Sequence, residues 1–151
     1  MLDTQIYDLI VSNSLIKPIN KIITEKKIEV LCTHIQNDEL QDIPNEKKRA
    51  LVSQIIRKQV PTSGGVYGVS KYGCATYGDG SGSGISIDQI RSSAKKHTKD
   101  ALIATTAAKY ADVLVTEDNR FTNRFRKTCS SCEVWSFDQL ETYILKISAS
   151  T

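Results

Sequence analysis

Residues 97–121, HTKDALIATTAAKYADVLVTEDNRF, constrain the fold more than any other stretch of the chain. Read at a helical period, Ile103, Ala104, Ala107, Ala108 and Ala111 form one apolar stripe, which predicts a helix with one face against a core. Asp100 stands three and four residues before the first two of them, so a carboxylate starts the core-facing side. Asp112 and Val113 then open a short strand, Val113-Leu114-Val115-Thr116. Asp118 follows just past its end, where the loops of α/β sheets carry chemistry. The stretch therefore carries two acids to one edge.

The remaining residues alternate strand-like and helical runs. Met1-Leu2 is the stub of a strand ending at Asp3, and Ile6, Leu9 and Ile10 predict a short helix after it. A second helix begins near Pro18, which a first helical turn tolerates, with Ile19, Ile22 and Ile23 inward. Ile28 to Leu31 reads as a buried strand, and Thr33 with Gln36 three residues on makes a capping-box start for the next helix. Glu39 lies on that helix at the border of its buried face, one position before Leu40 and four after Ile35. Asn45 caps a further helix, with Ala50, Leu51, Ile55 and Ile56 inward among Lys47, Lys48, Arg49, Arg57 and Lys58.

Ser86 with Gln89 makes a second capping box, ahead of a helix with Ile87, Ile90 and Ala94 inward. His97 and Thr98 separate that helix from the one carrying Asp100. Cys132 to Phe137 reads as a last strand, and Asp138 caps a final helix with Leu140, Tyr143, Ile144 and Ile147 apolar. This alternation predicts an α/β fold with a mostly parallel sheet, whose strand ends gather at one edge.

All eight glycines fall within residues 61–84, PTSGGVYGVSKYGCATYGDGSGSG, where Tyr67, Tyr72 and Tyr77 are spaced five apart. A phosphate-binding P-loop is excluded, because its lysine and hydroxyl residue are missing at the required spacing. The segment is longer than an ordinary connection, which leaves a glycine-interrupted hairpin or a flap over the site. In the flap reading its tyrosines and Lys71 stack on and contact single-stranded RNA.

Four groups of residues together resemble a known family: Leu2-Asp3-Thr4, Asp38-Glu39-Leu40, Asp100-Ala101-Leu102-Ile103-Ala104, and Leu114-Val115-Thr116-Glu117-Asp118-Asn119-Arg120-Phe121. The chain resembles the PIN-domain nucleases, and within them most closely the VapC-type toxins of toxin–antitoxin pairs. The resemblance runs from residue 3 to 121 and implies a single PIN-like domain over residues 1–151, a three-layer sandwich with a mostly parallel central sheet flanked by helices. It also implies that Asp3, Glu39, Asp100 and Asp118 are the catalytic acids. Asp3, Asp100 and Asp118 then bind metal directly or through water, and Glu39 serves a metal-bound water or orients the nucleophile. Thr4 and Thr116 match hydroxyl positions that hold those acids, Gln5 stands where the family often has Asn, and Asn119 where some members carry further acids. The implied partners are an RNA substrate, a small antitoxin protein that occludes the site, and a second copy in a homodimer.

The chemistry follows from the acids. Carboxylates gathered in one place repel each other unless a cation neutralises them, and hard oxygen donors suit Mg²⁺ or Mn²⁺. Such an ion polarises a phosphoryl oxygen, activates a bound water and orients in-line attack, whether one ion binds or two. The expected activity is metal-dependent hydrolysis of phosphodiester bonds in single-stranded RNA. Two alternatives stand beside it. One is a catalytically silent PIN-like RNA-binding or scaffold domain. The other is an aspartyl-nucleophile phosphatase, which wants a second Asp two residues after the first, where this chain has Gln5. Taken singly, Asp100 could instead favour a helix N-terminus, and Asp118-Asn119 a turn.

A net charge of +3 permits a polyanionic partner without requiring one, but its distribution is uneven. Arg91, Lys95, Lys96 and Lys99 precede Asp100, while Arg120, Arg124, Arg126 and Lys127 follow Asp118. Lys96, Lys99, Arg120 and Arg124 are the candidate RNA contacts, against a reading of two solvated faces. Cys129-Ser-Ser-Cys132 has half the spacing of a zinc knuckle, but no second such pair accompanies it, so Cys32, Cys74, Cys129 and Cys132 are expected as free thiols. No apolar run approaches a membrane span and no secretory signal opens the chain, which reads as cytoplasmic.

Overall fold

The computed structural model describes residues 1–63, 75–76 and 96–150. Among them the chain is α/β, with seven helices and short strands that pair in parallel. In chain order these are α1 (Thr4–Ser12), α2 (Ile16–Thr24), β1 (Leu31–Cys32), α3 (His34–Gln41), α4 (Glu46–Ser53), β2 (Lys58–Gln59), β3 (Thr62–Ser63) and β4 (Ala75–Thr76). They continue with α5 (Lys96–Tyr110), β5 (Val113–Val115), α6 (Asn119–Thr128), β6 (Glu133–Trp135) and α7 (Phe137–Ala149). No helix among the described residues is long and apolar enough to cross a membrane.

The centre of this arrangement is β5. On one side it pairs with β6, Leu114 opposite Val134. On the other, Leu2 pairs with Val115, held by Asp3 N donating to Val115 O at 2.9 Å and Val115 N to Met1 O at 3.0 Å. The pairings run parallel, so Asp3, Thr116 and Ser136 all emerge at the same end of their strands. Successive strand residues point to opposite faces, and the core divides accordingly. Leu114, Met1, Leu31 and Val134 pack with residues of α5 and α6, whereas Leu2, Val30 and Val115 pack with residues of α1, α2, α4 and α7.

Local chemistry fixes where most helices start. Asp3 caps α1 through its own neighbour's amide, Asn45 accepts from Lys48 N at the start of α4, and Asp118 caps α6. The capping box of Thr33 and Gln36 is fully formed. Gln36, completely buried, also donates from its amide to Leu2 O, which fastens α3 to the strand that carries Asp3.

Several expectations change. The first buried strand is Leu31–Cys32, rather than Ile28 to Leu31, and the last is Glu133–Trp135. The predicted inward stripe of α4 is wrong in part: the helix stops at Ser53, Ala50, Leu51 and Ile56 are exposed, and it is Val52 that joins Ile55 in the core. A helical period cannot be carried through Gln54, where the chain turns. Arg57 is no solvated charge, since its Nε donates to Asn37 Oδ1 at 2.8 Å and its guanidinium lies 5.8 Å from the centre of the buried Tyr7 ring.

His97 and Thr98 do not interrupt the chain before Asp100; α5 starts at Lys96 and runs through them. Nor is α5 one-sided. Residues 101–107 are buried without a break, and the two threonines among them are satisfied locally. Thr106 Oγ donates to Leu102 O and accepts from Ser63 N, while Thr105 Oγ lies 3.1 Å from Ser63 O. The last helix is capped by Ser136, in a capping box with Gln139; Asp138 sits in its first turn.

Where the glycine-rich segment is described, β3 and β4 pair in parallel, Thr62 with Ala75 and Ser63 with Thr76. These two strands are therefore not the arms of a simple hairpin, which would run antiparallel. Tyr67, Lys71, Tyr72 and Tyr77, the capping box expected at Ser86 and Gln89, the helix with Ile87, Ile90 and Ala94, and Arg91 and Lys95 lie outside the described residues.

Candidate functional site

Asp3, Gln5, Asp100, Ile103, Leu114, Asp118 and Phe121 line one cavity of about 60 Å³. Three of the four predicted acids, which come from residues 3, 100 and 118, thus converge at the strand end beside β5. Each is delivered by a different device. Asp3 follows the strand residue paired with Val115, Asp100 rides in the second turn of α5, and Asp118 ends the loop after β5. The apolar part of the wall, Ile103, Leu114 and Phe121, belongs to the core packed against α5 and α6.

Hydrogen bonds hold two of these acids from behind. Thr116 Oγ donates to Asp3 Oδ2 at 2.8 Å and accepts from Asp118 N at 3.2 Å, so one buried hydroxyl ties both together. Asp3 Oδ1 accepts from Thr4 N at 2.7 Å, and Asp118 Oδ1 from Arg120 N and Phe121 N at 2.9 and 3.0 Å. The adjacent Glu117 is engaged elsewhere, its Oε1 accepting from Phe137 N at the start of α7. Of the tandem Glu117-Asp118, then, Asp118 is the one that lines the cavity.

Glu39 stands beside the cavity rather than on its wall. Its Oε2 accepts from Thr4 Oγ at 2.7 Å, and its Oε1 lies 3.7 Å from Lys99 Nζ. Thr4 and Thr116 each donate a hydroxyl to one of the predicted acids, Thr4 to Glu39 and Thr116 to Asp3. Asn119 is the first residue of α6, exposed, and does not line the cavity.

Among the candidate RNA contacts, Lys99 reaches the site through Glu39. Arg120 is exposed in the first turn of α6. Arg124 lies one turn further along, with its Nε 3.4 Å from Arg120 O. Lys96 starts α5, and its side chain lies outside the described residues. No family model, curated protein or solved structure matches the chain.

Two placements at the site were not read from the sequence: Gln5 on the cavity wall, and Lys99 against Glu39. Gln5 is a surface residue of a short helix by pattern alone; it reaches the cavity because α1 begins directly at Asp3, so its first turn sits over the strand end. The Lys99–Glu39 pair depends on α3 and α5 meeting across sixty residues of sequence, which no local spacing records.

The donors of this wall suit a metal in kind. Three carboxylates and an amide are hard oxygen donors such as Mg²⁺ and Mn²⁺ take, and about 60 Å³ holds an ion with a few waters. Among the described residues, no group of three His, Cys, Asp or Glu side chains stands close enough to grip an ion as placed. The chemistry of the donors suits such an ion, and Asp3, Asp100 and Asp118 are the residues that would hold one. Cys32, Cys129 and Cys132 are buried thiols without a disulfide, while the Cys74 thiol lies outside the described residues.

A larger cavity, of about 770 Å³, is bounded by Ile19, Ile23, Val30, Leu31, Val113 and Leu140. Its walls are mainly apolar and include none of Asp3, Glu39, Asp100 and Asp118, so the smaller cavity is the better seat for chemistry.

Proposed function

We propose that this chain is a metal-dependent endoribonuclease of the PIN type, hydrolysing phosphodiester bonds of single-stranded RNA, with helices on both faces of a parallel sheet as in that fold. The observation that carries the reading is the convergence of Asp3, Asp100 and Asp118, 97 and 18 residues apart in sequence, on one cavity at a strand end. Mg²⁺ or Mn²⁺ held by these three residues would polarise the scissile phosphate and activate water. Thr116 orients Asp3 and fixes the turn to Asp118. Ile103, Leu114 and Phe121 give the cavity an apolar floor that strengthens the field of its charges. Lys99, paired with Glu39, and Arg120, exposed one residue after Asn119, support contact with a phosphate backbone in this reading.

The wider setting in this proposal is that of a toxin in the cytoplasm, a homodimer whose site a small antitoxin protein covers. The second reading, a silent RNA-binding scaffold of the same fold, draws on the hydrogen bonds that engage Asp3 and Asp118 and on the spread of the acids as placed.

Cleavage of a labelled single-stranded RNA separates the two. With Mg²⁺ or Mn²⁺ the wild type is expected to cut, chelator to stop it, and Asp100→Asn to lose at least about a hundredfold in rate while still folded. Cutting that survives Asp100→Asn would remove the reading. RNA binding with no cutting under either metal would favour the scaffold.

A further inference from the structure

The cavity of about 770 Å³ lies apart from the acids, and its walls show how far it reaches. Ile28, Glu29, Val30 and Leu31 border it in unbroken succession, and so do Met1 and Leu2. Successive strand residues point to opposite faces, so a dent in one face of a sheet would meet only every second residue. The cavity therefore follows the seam between residues 28–31 and the Met1–Leu2 strand. That seam is open. β1 pairs with β2 and Leu2 with Val115, but no backbone hydrogen bond among the described residues joins Leu2 to Leu31. Leu2 O accepts from the Gln36 amide instead.

Exposure divides the lining into a floor and a mouth. Leu2, Ile19, Val30 and Val115 are buried and aliphatic, whereas Lys26, Lys27, Glu29 and Asp112 are exposed. Trp135 and Tyr143 are half-buried on the wall, their ring centres 5.3 Å apart. The volume lies within the roughly 300–1,000 Å³ of pockets that take small molecules. Branched aliphatic side chains along a seam between strands suit a slender hydrocarbon chain.

The mouth decides the head of such a molecule. Lys27 is paired with Glu25 at 2.9 Å, and Glu29 with Lys58 at 2.8 Å. Lys26 and Asp112 carry opposite signs, so an ionic head of either sign meets one like charge. A neutral head meets none.

We infer that this cavity binds a single-chain aliphatic molecule with a neutral polar head, of the kind of a medium-chain alcohol, its chain in the seam and its head at the mouth. The site shares no residue with the acid-lined cavity, and the inference stands apart from the nuclease reading.

The test uses 1-decanol as probe, the full chain as target, and Trp135, the chain's one tryptophan, as reporter. Decanol is expected to change the emission saturably at one equivalent, half-saturating at or below about 100 µM. 1-Octanol, two methylenes shorter, should bind about tenfold or more weaker. Ala111→Phe, which fills part of the wall, should abolish the decanol response while circular dichroism shows the chain folded. Two surface variants test the mouth without touching the floor. Decanoate should bind Asp112→Asn about two- to fivefold tighter than wild type at low salt, and decylammonium should bind Lys26→Asn tighter by the same factor, with decanol indifferent to both. Asparagine suits the left-handed backbone of Lys26, so that variant keeps its fold. No saturable response to decanol would overturn the inference. So would octanol binding as tightly, a folded Ala111→Phe that still responds, or either charge variant leaving its ionic probe unchanged. Emission that shifts with protein concentration in the absence of alcohol would place a second copy of the chain over the cavity, and would overturn it too.

Discussion

Thr116 is the residue on which the site turns. Its hydroxyl is the single link between Asp3, at the start of the chain, and the amide of Asp118. Thr116→Val keeps the shape and removes the link, leaving two polar groups beside a buried methyl. Stability is expected to fall by about 1–3 kcal/mol in urea unfolding. On the metal-dependent reading proposed above, Mn²⁺ affinity is expected to fall by about tenfold or more, because the acids lose their common anchor. Thr116→Ser should restore both. A valine variant with wild-type affinity would show that the acids are held by their backbone contacts alone. Asp3 and Asp118 stood out in the sequence because a short apolar run followed by Asp declares a strand end, and Asp100 because it precedes the apolar stripe of a helix. Lys99 was legible only as a charge, since the pairing that gives it a role is made by α3.

At the scale of elements, starts were easier to read than ends. Thr33 with Gln36 announces α3 within four residues; Ser136 with Gln139 carries the same pattern for α7, but the sequence reading took Asp138 as the cap instead. Ends lacked a comparable sign. Every glycine of the chain lies in residues 61–84, so α1 and α2 finish without one, and Ser14 and Lys26 take the left-handed backbone at φ 57° and 56°. Ser14→Gly and Lys26→Gly are each expected to raise stability by about 1 kcal/mol, the steric cost of a side chain in that region less the entropy glycine adds to the unfolded chain. The two sites close different helices and share no hydrogen bond, so the double variant should show the sum in urea unfolding. The error at α4 has a related cause: its apolar residues keep the period past Ser53, but the backbone does not.

For the whole molecule, the alternation of runs foretold parallel pairing, and the division of the core into two clusters follows from it. What the alternation hid was the extent of burial along α5, because Ala and Thr are small enough to serve a crowded interior or a surface. The same interior governs the response to alkali. Burial pushes the Cys132 thiol up from 9.0 to about 11, and raises Tyr7 and Cys32 in the same direction. The folded chain thus keeps a proton that the unfolded chain releases above pH 9. The stability Cys132 contributes is full below pH 9 and is lost as pH rises through 11. Urea midpoints measured from pH 8 to 11 should decline above 9, and Cys132→Ala should make the decline shallower.

The pairing of Leu2 with Val115 also sets the order of events during translation. Asp3 is made first of the three cavity aspartates, and the threonine that donates to it follows 113 residues later. At about 5–20 residues per second, Asp100 follows Asp3 by about 5–20 seconds and Asp118 comes about 1–4 seconds after that. The pocket closes only when synthesis has passed β5, so the three aspartates cannot meet in an unfinished chain.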